Sequence, residues 1–320
     1  MVLIFSACLG IATDGMAQSK QYILDQGVPP ISDIRSYTII AGDSSLVFDR
    51  DNGIFVLASN VRKDRIGAIG QGPCEFQDVT SYAVVEDTVF VLDRSSSKIV
   101  GYSIQDNTCL QETIDPGLVS FSSVVRVGSS FFLGRNSVNA AMDSNTALLV
   151  ELTESGEFKD LGLRKSDLEA DLLMVPMRSQ RTQRIKEKNG VIYFLLPYSH
   201  RVWSYDVRGD RIGHIALTHG SGDISGYATA TDFNSIGKAI QEIEKEIELF
   251  LLDEQVAVFS LMGNKWILRS YSYSGTLLAE HDVTLQNIFF EDRGVFYALD
   301  STEDEDRPYQ VIPVVINSTE

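Results

Sequence analysis

Short apolar runs of β type recur along the chain, each introduced by a turn signal, at residues 52–57, 87–93, 128–133, 189–195, 254–259 and 293–299. With Phe55, Phe90, Phe132, Tyr193, Val258 and Tyr297 as markers, the spacings are 35, 42, 61, 65 and 39 residues. Three of these lie near 40, and the two long ones are the same unit with about 20 extra residues. A polar-alternating strand precedes each marker. A polar turn such as residues 94–98 follows it, then a further strand such as 99–103, another turn and a short outer strand. Six such units predict an all-β fold, a six-bladed β-propeller of four-stranded blades. A parallel α/β fold would need an apolar-periodic helix between strands, and none separates the first two markers. Residues 36–40 and 309–316 are the candidates for pairing within one blade to close the ring.

The long spacings predict two short helical insertions, at about residues 164–188 and 224–249. In the first, Ser166 and Glu169 have capping-box spacing, and a helix begun there would end before Pro176. In the second, Ile236, Ile240, Ile243 and Ile247 fall at steps of four, three and four, which predicts an amphipathic helix near 235–249 capped by Asp232 or Asn234. It would serve as a lid or brace at one end of the propeller.

Residues 1–12 are almost wholly apolar, too short to span a bilayer, and followed by Gly15, Met16 and Ala17. This predicts a signal peptide over 1–17 and a single propeller domain over 18–320. Phe5-Ser6-Ala7-Cys8 is an imperfect lipobox, which makes Cys8 a candidate lipidation site. Nothing later reaches membrane-spanning length. The expected location is therefore outside the cytoplasm: periplasmic, at the cell surface or extracellular. In that compartment Cys74 and Cys109, 35 positions apart, are a candidate disulfide, with two independent thiols as the alternative.

Charge narrows the partners. The 320 residues carry 27 basic and 44 acidic side chains, a formal net charge of −17. Nucleic acid is excluded as a partner, because tracking phosphates requires basic surface. Against this background Arg178, Arg181 and Arg184, followed by Lys186 and Lys188, form a basic island. On a helix the three arginines would cluster as a clamp for a carboxylate, phosphate or acidic sugar, whereas a strand would turn Arg181 away from the other two. The expected partner is an unknown protein or a small anionic or carbohydrate ligand, bound by a monomer.

Motifs for chemistry are sparse. The four histidines, His200, His214, His219 and His281, form no metal-ligand pair, and no D-x-D-x-D-G loop occurs. No cofactor is predicted, although a propeller channel would admit a structural calcium. Residues 219–223 place His, Ser and Asp side by side, but a triad is defined by geometry and the glycines here suggest a loop. The acidic run 303–306 is a solvated hairpin tip, and Asp93 and Asp300 are turn residues that accept backbone N–H groups.

The segment Gly67-Ala68-Ile69-Gly70-Gln71-Gly72-Pro73-Cys74-Glu75-Phe76, with residues 87–93 and 98–103 after it, resembles the repeat of NHL- and TolB-like six-bladed propellers. The closest likeness is to the exported six-bladed propellers of Bacteroidetes-type bacteria. Cys74 stands where that motif has glycine. The resemblance covers about residues 62–104 and implies the fold, while propellers host many roles. The reading is an exported, non-catalytic binding or scaffold propeller with its ligand or partner at the mouth. The alternative is a divalent-metal-assisted hydrolase or lyase acting on a sugar, lactone or peptide-derived substrate.

Overall fold

The computed structural model describes residues 34–41, 44–49, 53–58, 61–135, 143, 145–167, 184–197, 199–217, 243–283, 288–301, 309–314 and 316–317. Six antiparallel sheets follow one another, and the strands of each meander in sequence order. Blade 1 comprises Ile34–Ala41, Ser44–Asp49, Gly53–Ala58 and Val61–Ile66. Blade 2 comprises Val79–Val85, Thr88–Asp93, Lys98–Ser103 and Cys109–Ile114, and blade 3 Phe121–Val127, Ser130–Arg135, Leu149–Leu152 and Phe158–Asp160. Blade 4 runs through Arg184–Lys188, Val191–Leu195, Arg201–Asp206 and Arg211–Ala216. Blade 5 has Lys245–Leu251, Gln255–Met262, Lys265–Ser272 and Leu277–Val283, and blade 6 shows Ile288–Asp292, Val295–Ser301 and Tyr309–Pro313. The chain is a six-bladed all-β propeller.

Alternation along the strands explains why the blades form a ring. Successive side chains of a strand point to opposite faces, so a strand apolar on both faces must be covered twice. Phe131 packs with Phe90 and Leu92 of blade 2, while its neighbour Phe132 packs with Phe194 and Trp203 of blade 4. Val258 likewise joins Val202 and Leu195 of blade 4, and Phe259 joins Phe289 and Phe296 of blade 6. Buried clusters of this kind lie between every pair of successive blades, and a further one, with Tyr37, Val47 and Phe55 against Phe290 and Leu299, lies between blades 1 and 6. The first strands of the blades are innermost, and those of blades 1 and 6 lie side by side.

Several expectations need correction. Phe55 lies in the third strand of blade 1, not the second, because Ser44–Asp49 is the true counterpart of Thr88–Asp93. Both of those strands end on a fully buried aspartate, Asp49 or Asp93. The two segments expected to share a blade do not: residues 36–40 pair with Ser44–Asp49, residues 309–313 pair with Val295–Ser301, and Ile316–Asn317 continues onto the outer edge of blade 5. Among the described residues, side chains make the contact between blades 6 and 1.

The helical insertions are also revised. Lys245–Leu251 is the first strand of blade 5, not the end of a helix. Its register shifts between Glu246 and Glu248, and this bulge breaks the strict alternation and imitates helical spacing at Ile243 and Ile247. At the first insertion a single 3-10 turn, Lys165–Asp167, is described, and the carboxylate of Asp167 accepts the Arg164 N–H at 2.7 Å. Arg184–Lys188 belongs to blade 4. Residues 1–17, 168–183, 218–242 and 302–308 lie outside the described residues, and with them the signal peptide, the Pro176 helix end, the remainder of the second helix, the 219–223 loop and the acidic tip.

Candidate functional site in the ring interior

The inner strands bring polar side chains from four blades toward the axis. Tyr82, on the first strand of blade 2, reaches blade 1, where its hydroxyl lies 2.6 Å from Thr38 Oγ1 and accepts from Ser36 Oγ at 3.1 Å. Burial raises the Tyr82 pKa, the two hydroxyl contacts oppose that rise, and Glu248 of blade 5 adds to it. Arg184 of blade 4 also acts on Tyr82. Groups from blades 2, 4 and 5 are thus within electrostatic reach of one another across the ring. Arg184 Nε donates to Glu248 Oε2 at 2.8 Å.

Lys245 begins the first strand of blade 5 and is half-buried near Arg184. Burial, helped by the Arg184 charge, lowers its pKa to about 8. The bulge between Glu246 and Glu248 aims the two carboxylates at different partners. Glu248 meets Arg184, while the buried Glu246 lies 2.6 Å from His200 Nδ1 on the loop between the second and third strands of blade 4. Arg269, 3% exposed, joins Glu244 and donates to Glu280 Oε2 at 2.6 Å. Burial alone would lower the pKa of this guanidinium, but the two carboxylates outweigh it and hold the pKa up. Glu248, Glu244 and Glu280 are therefore paired with guanidinium groups, and Glu246 with the His200 ring. Among the described residues, no three His, Cys, Asp or Glu side chains converge as metal ligands do.

The residues singled out in the sequence fare unequally. Arg184 is in the interior cluster as the partner of Glu248, whereas Arg178, Arg181 and Cys8 lie outside the described residues. Cys74 and Cys109 are joined as a disulfide with a Cα–Cα distance of 6.0 Å. Asp93 accepts N–H bonds from Gln77 at 2.7 Å and Ser96 at 3.1 Å, as a turn aspartate should. Tyr82, Lys245, Glu246, Glu248 and His200 escaped the sequence reading. Their only signal is position near the start of an inner strand or in the turn beside it, which becomes visible once the blades are in frame.

The motif at residues 67–76 is structural. Gly67 has φ 69° and donates to Asn107 Oδ1 at 2.8 Å, and Phe76 is buried edge-on against Tyr102. A Cβ on Gly70 would strike the carboxylate of Glu75, which itself accepts the Gly72 N–H at 2.7 Å. Lys98 Nζ donates to the Gly72 carbonyl at 2.9 Å and to Glu112 Oε1 at 3.1 Å, and the Tyr102 hydroxyl donates to the Cys74 carbonyl. Cys74 itself has φ 56°, the conformation that favours the glycine found in related motifs.

Among solved structures, the chain is similar to a candidate exported protein of Bacteroides fragilis, with 14% identity, a TM-score of 0.65 and 90% of each chain covered. It is also similar to a member of the DUF4221 family from Bacteroides vulgatus, with 11% identity, a TM-score of 0.66, and 94% of this chain and 95% of that one covered. At these identities the likeness concerns the fold. No curated protein matches the chain. The profile of a family described as 6-bladed beta-propeller matches residues 36–215, more than half of the sequence, and the chain belongs to that family.

Proposed function

We propose that this protein is an exported, non-catalytic binding propeller that takes an anionic ligand, or an anionic group of a partner, at the ring mouth beside Arg184 and Lys245. The observation that carries this reading is the interior cluster itself. Two cations from neighbouring blades, Arg184 and Lys245, stand close enough to act on one another, with Arg184 on Glu248, while Glu246 meets His200 and Glu244 meets Arg269. A general acid–base pair needs carboxylates free to exchange protons with a substrate. Here they serve as counter-ions, which suits recognition better than turnover. The apolar leader in the sequence and the export description of the Bacteroides fragilis neighbour support a location outside the cytoplasm.

The test is a thermal-shift series at pH 7 with citrate and inorganic phosphate, on wild type and Arg184→Gln. Both anions should raise the wild-type melting temperature, and the variant should lose most of that rise. If wild type does not respond, or the variant responds equally, the mouth is not an anion site. The same series with Ca²⁺, Zn²⁺ and EDTA addresses the metal-assisted alternative, which a metal-specific rise reversed by EDTA would revive.

A further inference from the structure

A second polar cleft lies at the opposite end of the ring, where the first and second strands of each blade turn. It runs between the outer strand of blade 2 and the hairpins of blade 3. Gln111, Thr113, Arg126, Ser129, Thr153 and Glu154 line it, and its cavity volume is about 90 Å³. That is well below an enclosed small-ligand pocket, so the cleft holds one polar group of a ligand whose remainder lies along the open rim.

Arg126 is the organising group. Its guanidinium carbon lies 4.1 Å from the ring centre of Phe90 and 5.3 Å from that of Phe131, so the plane is held against two buried aromatic rings. Its Nε donates to the Gly128 carbonyl at 3.0 Å, which fixes the rotation of the fork. Among the described residues no carboxylate forms an ion pair with its Nη atoms. A guanidinium so fixed is preorganised for a planar, two-oxygen acceptor, because little side-chain entropy remains to be lost on binding.

The other walls identify what the acceptor is attached to. Phe131 and Leu152, the apolar residues of the lining, are 3% and 1% exposed and offer almost no surface to a ligand. What faces the cleft is hydroxyl, amide and carboxylate. Gln111 Nε2 donates to Thr113 Oγ1 at 3.4 Å, and Thr153 Oγ1 is tied to Ser155 Oγ at 2.8 Å and accepts the Glu157 N–H at 3.1 Å. The exposed Glu154 at the rim accepts hydroxyl protons and would repel a second negative charge on the ligand. We infer that this cleft between blades 2 and 3 binds a sugar bearing a single carboxylate, with the acid on Arg126 and the ring hydroxyls on the Gln111, Thr113, Thr153 and Glu154 side. Uronic and sialic acids share this chemistry.

The site is separate from Arg184, so the failure of either reading leaves the other standing. Calorimetric or NMR titration of the full chain with D-glucuronate, N-acetylneuraminate and D-glucose tests it. Wild type should bind at least one acidic sugar about tenfold more tightly than glucose, a gap set by the charge-assisted contact. Measured in the Arg184→Gln background, where the mouth no longer takes anions, Arg126→Met, which keeps the apolar stem over the rings, should abolish that preference. Glu154→Ala, at the exposed rim where folding is not at stake, should weaken the acidic sugar several-fold. Equal affinity for glucose and the acidic sugars, no binding of either acid, or unchanged acid affinity in both cleft variants would overturn the assignment.

Discussion

At the scale of single residues, the most informative group is Lys245. Its pKa is lowered to about 8 by burial and by Arg184, against 10.5 for an unperturbed lysine. Below pH 8 the lysine is protonated in both folded and unfolded chains, and the folded state bears the cost of a half-buried charge. Between about 8 and 10.5 the unfolded chain binds more protons than the folded one, so this residue makes stability rise with pH in that window. Function moves the other way. Deprotonation removes one of the two cations at the mouth, so citrate affinity should fall as pH rises from 7 to 9. Lys245→Met should flatten that dependence while retaining the weaker Arg184 contribution. Titrations at three pH values check this, and a citrate affinity that is flat from 7 to 9 in wild type would remove Lys245 from the site. None of this was legible in the sequence, where Lys245 sat within an apparent amphipathic helix among Glu242, Glu244, Glu246 and Glu248.

At the scale of elements, the linker between blades 1 and 2 shows what a motif can and cannot reveal. Its glycines and Glu75 were legible as a propeller signature because their roles are local, a positive φ at Gly67 and a close approach at Gly70. Cys74 was legible as a departure, and the structure supplies the reason: the residue accepts a left-handed backbone in return for a covalent tie to the outer strand of blade 2. The bond closes a loop of 35 positions, for which the chain-entropy account gives about 4 kcal/mol. Removing it with Cys74→Ala and Cys109→Ala should therefore lower unfolding stability by that order. Cys74→Gly with Cys109→Ala should be milder by about 1 kcal/mol, since glycine relieves the positive-φ cost. Denaturant titration of the two double variants separates the terms, and equal stabilities would show that the conformation of residue 74 costs nothing. The bulge in the first strand of blade 5 is the opposite case, because an inserted residue erases the period-two signal over the stretch that carries Glu246 and Glu248.

At the scale of the whole molecule, the ring was legible because each blade must bury both of its faces, and that demand writes apolar pairs such as Phe131–Phe132 and Val258–Phe259 into successive strands. Its closure was not legible, because the described residues of blades 6 and 1 meet through side-chain packing, which leaves no strand pattern to read. Tyr37 of blade 1 meets Phe290 of blade 6 with ring centres 4.4 Å apart, and Phe290 stacks on Tyr297 at 5.4 Å. A large-to-small change at such a buried aromatic costs about 3–5 kcal/mol. The loss should also be localised, since among the described residues blades 6 and 1 share no strand and meet through this side-chain cluster. Phe290→Ala is therefore expected to speed amide hydrogen exchange in Ile34–Ala41 and Ile288–Asp292 beyond the rise seen elsewhere, through a sub-global opening of the seam. Phe132→Ala, between blades 3 and 4, provides the control: those blades are consecutive in the chain, and its effect should not appear at the seam. A uniform rise in exchange around the ring after Phe290→Ala would mean that the six interfaces open together and that the blade 6–blade 1 contact has no special place in closing the propeller.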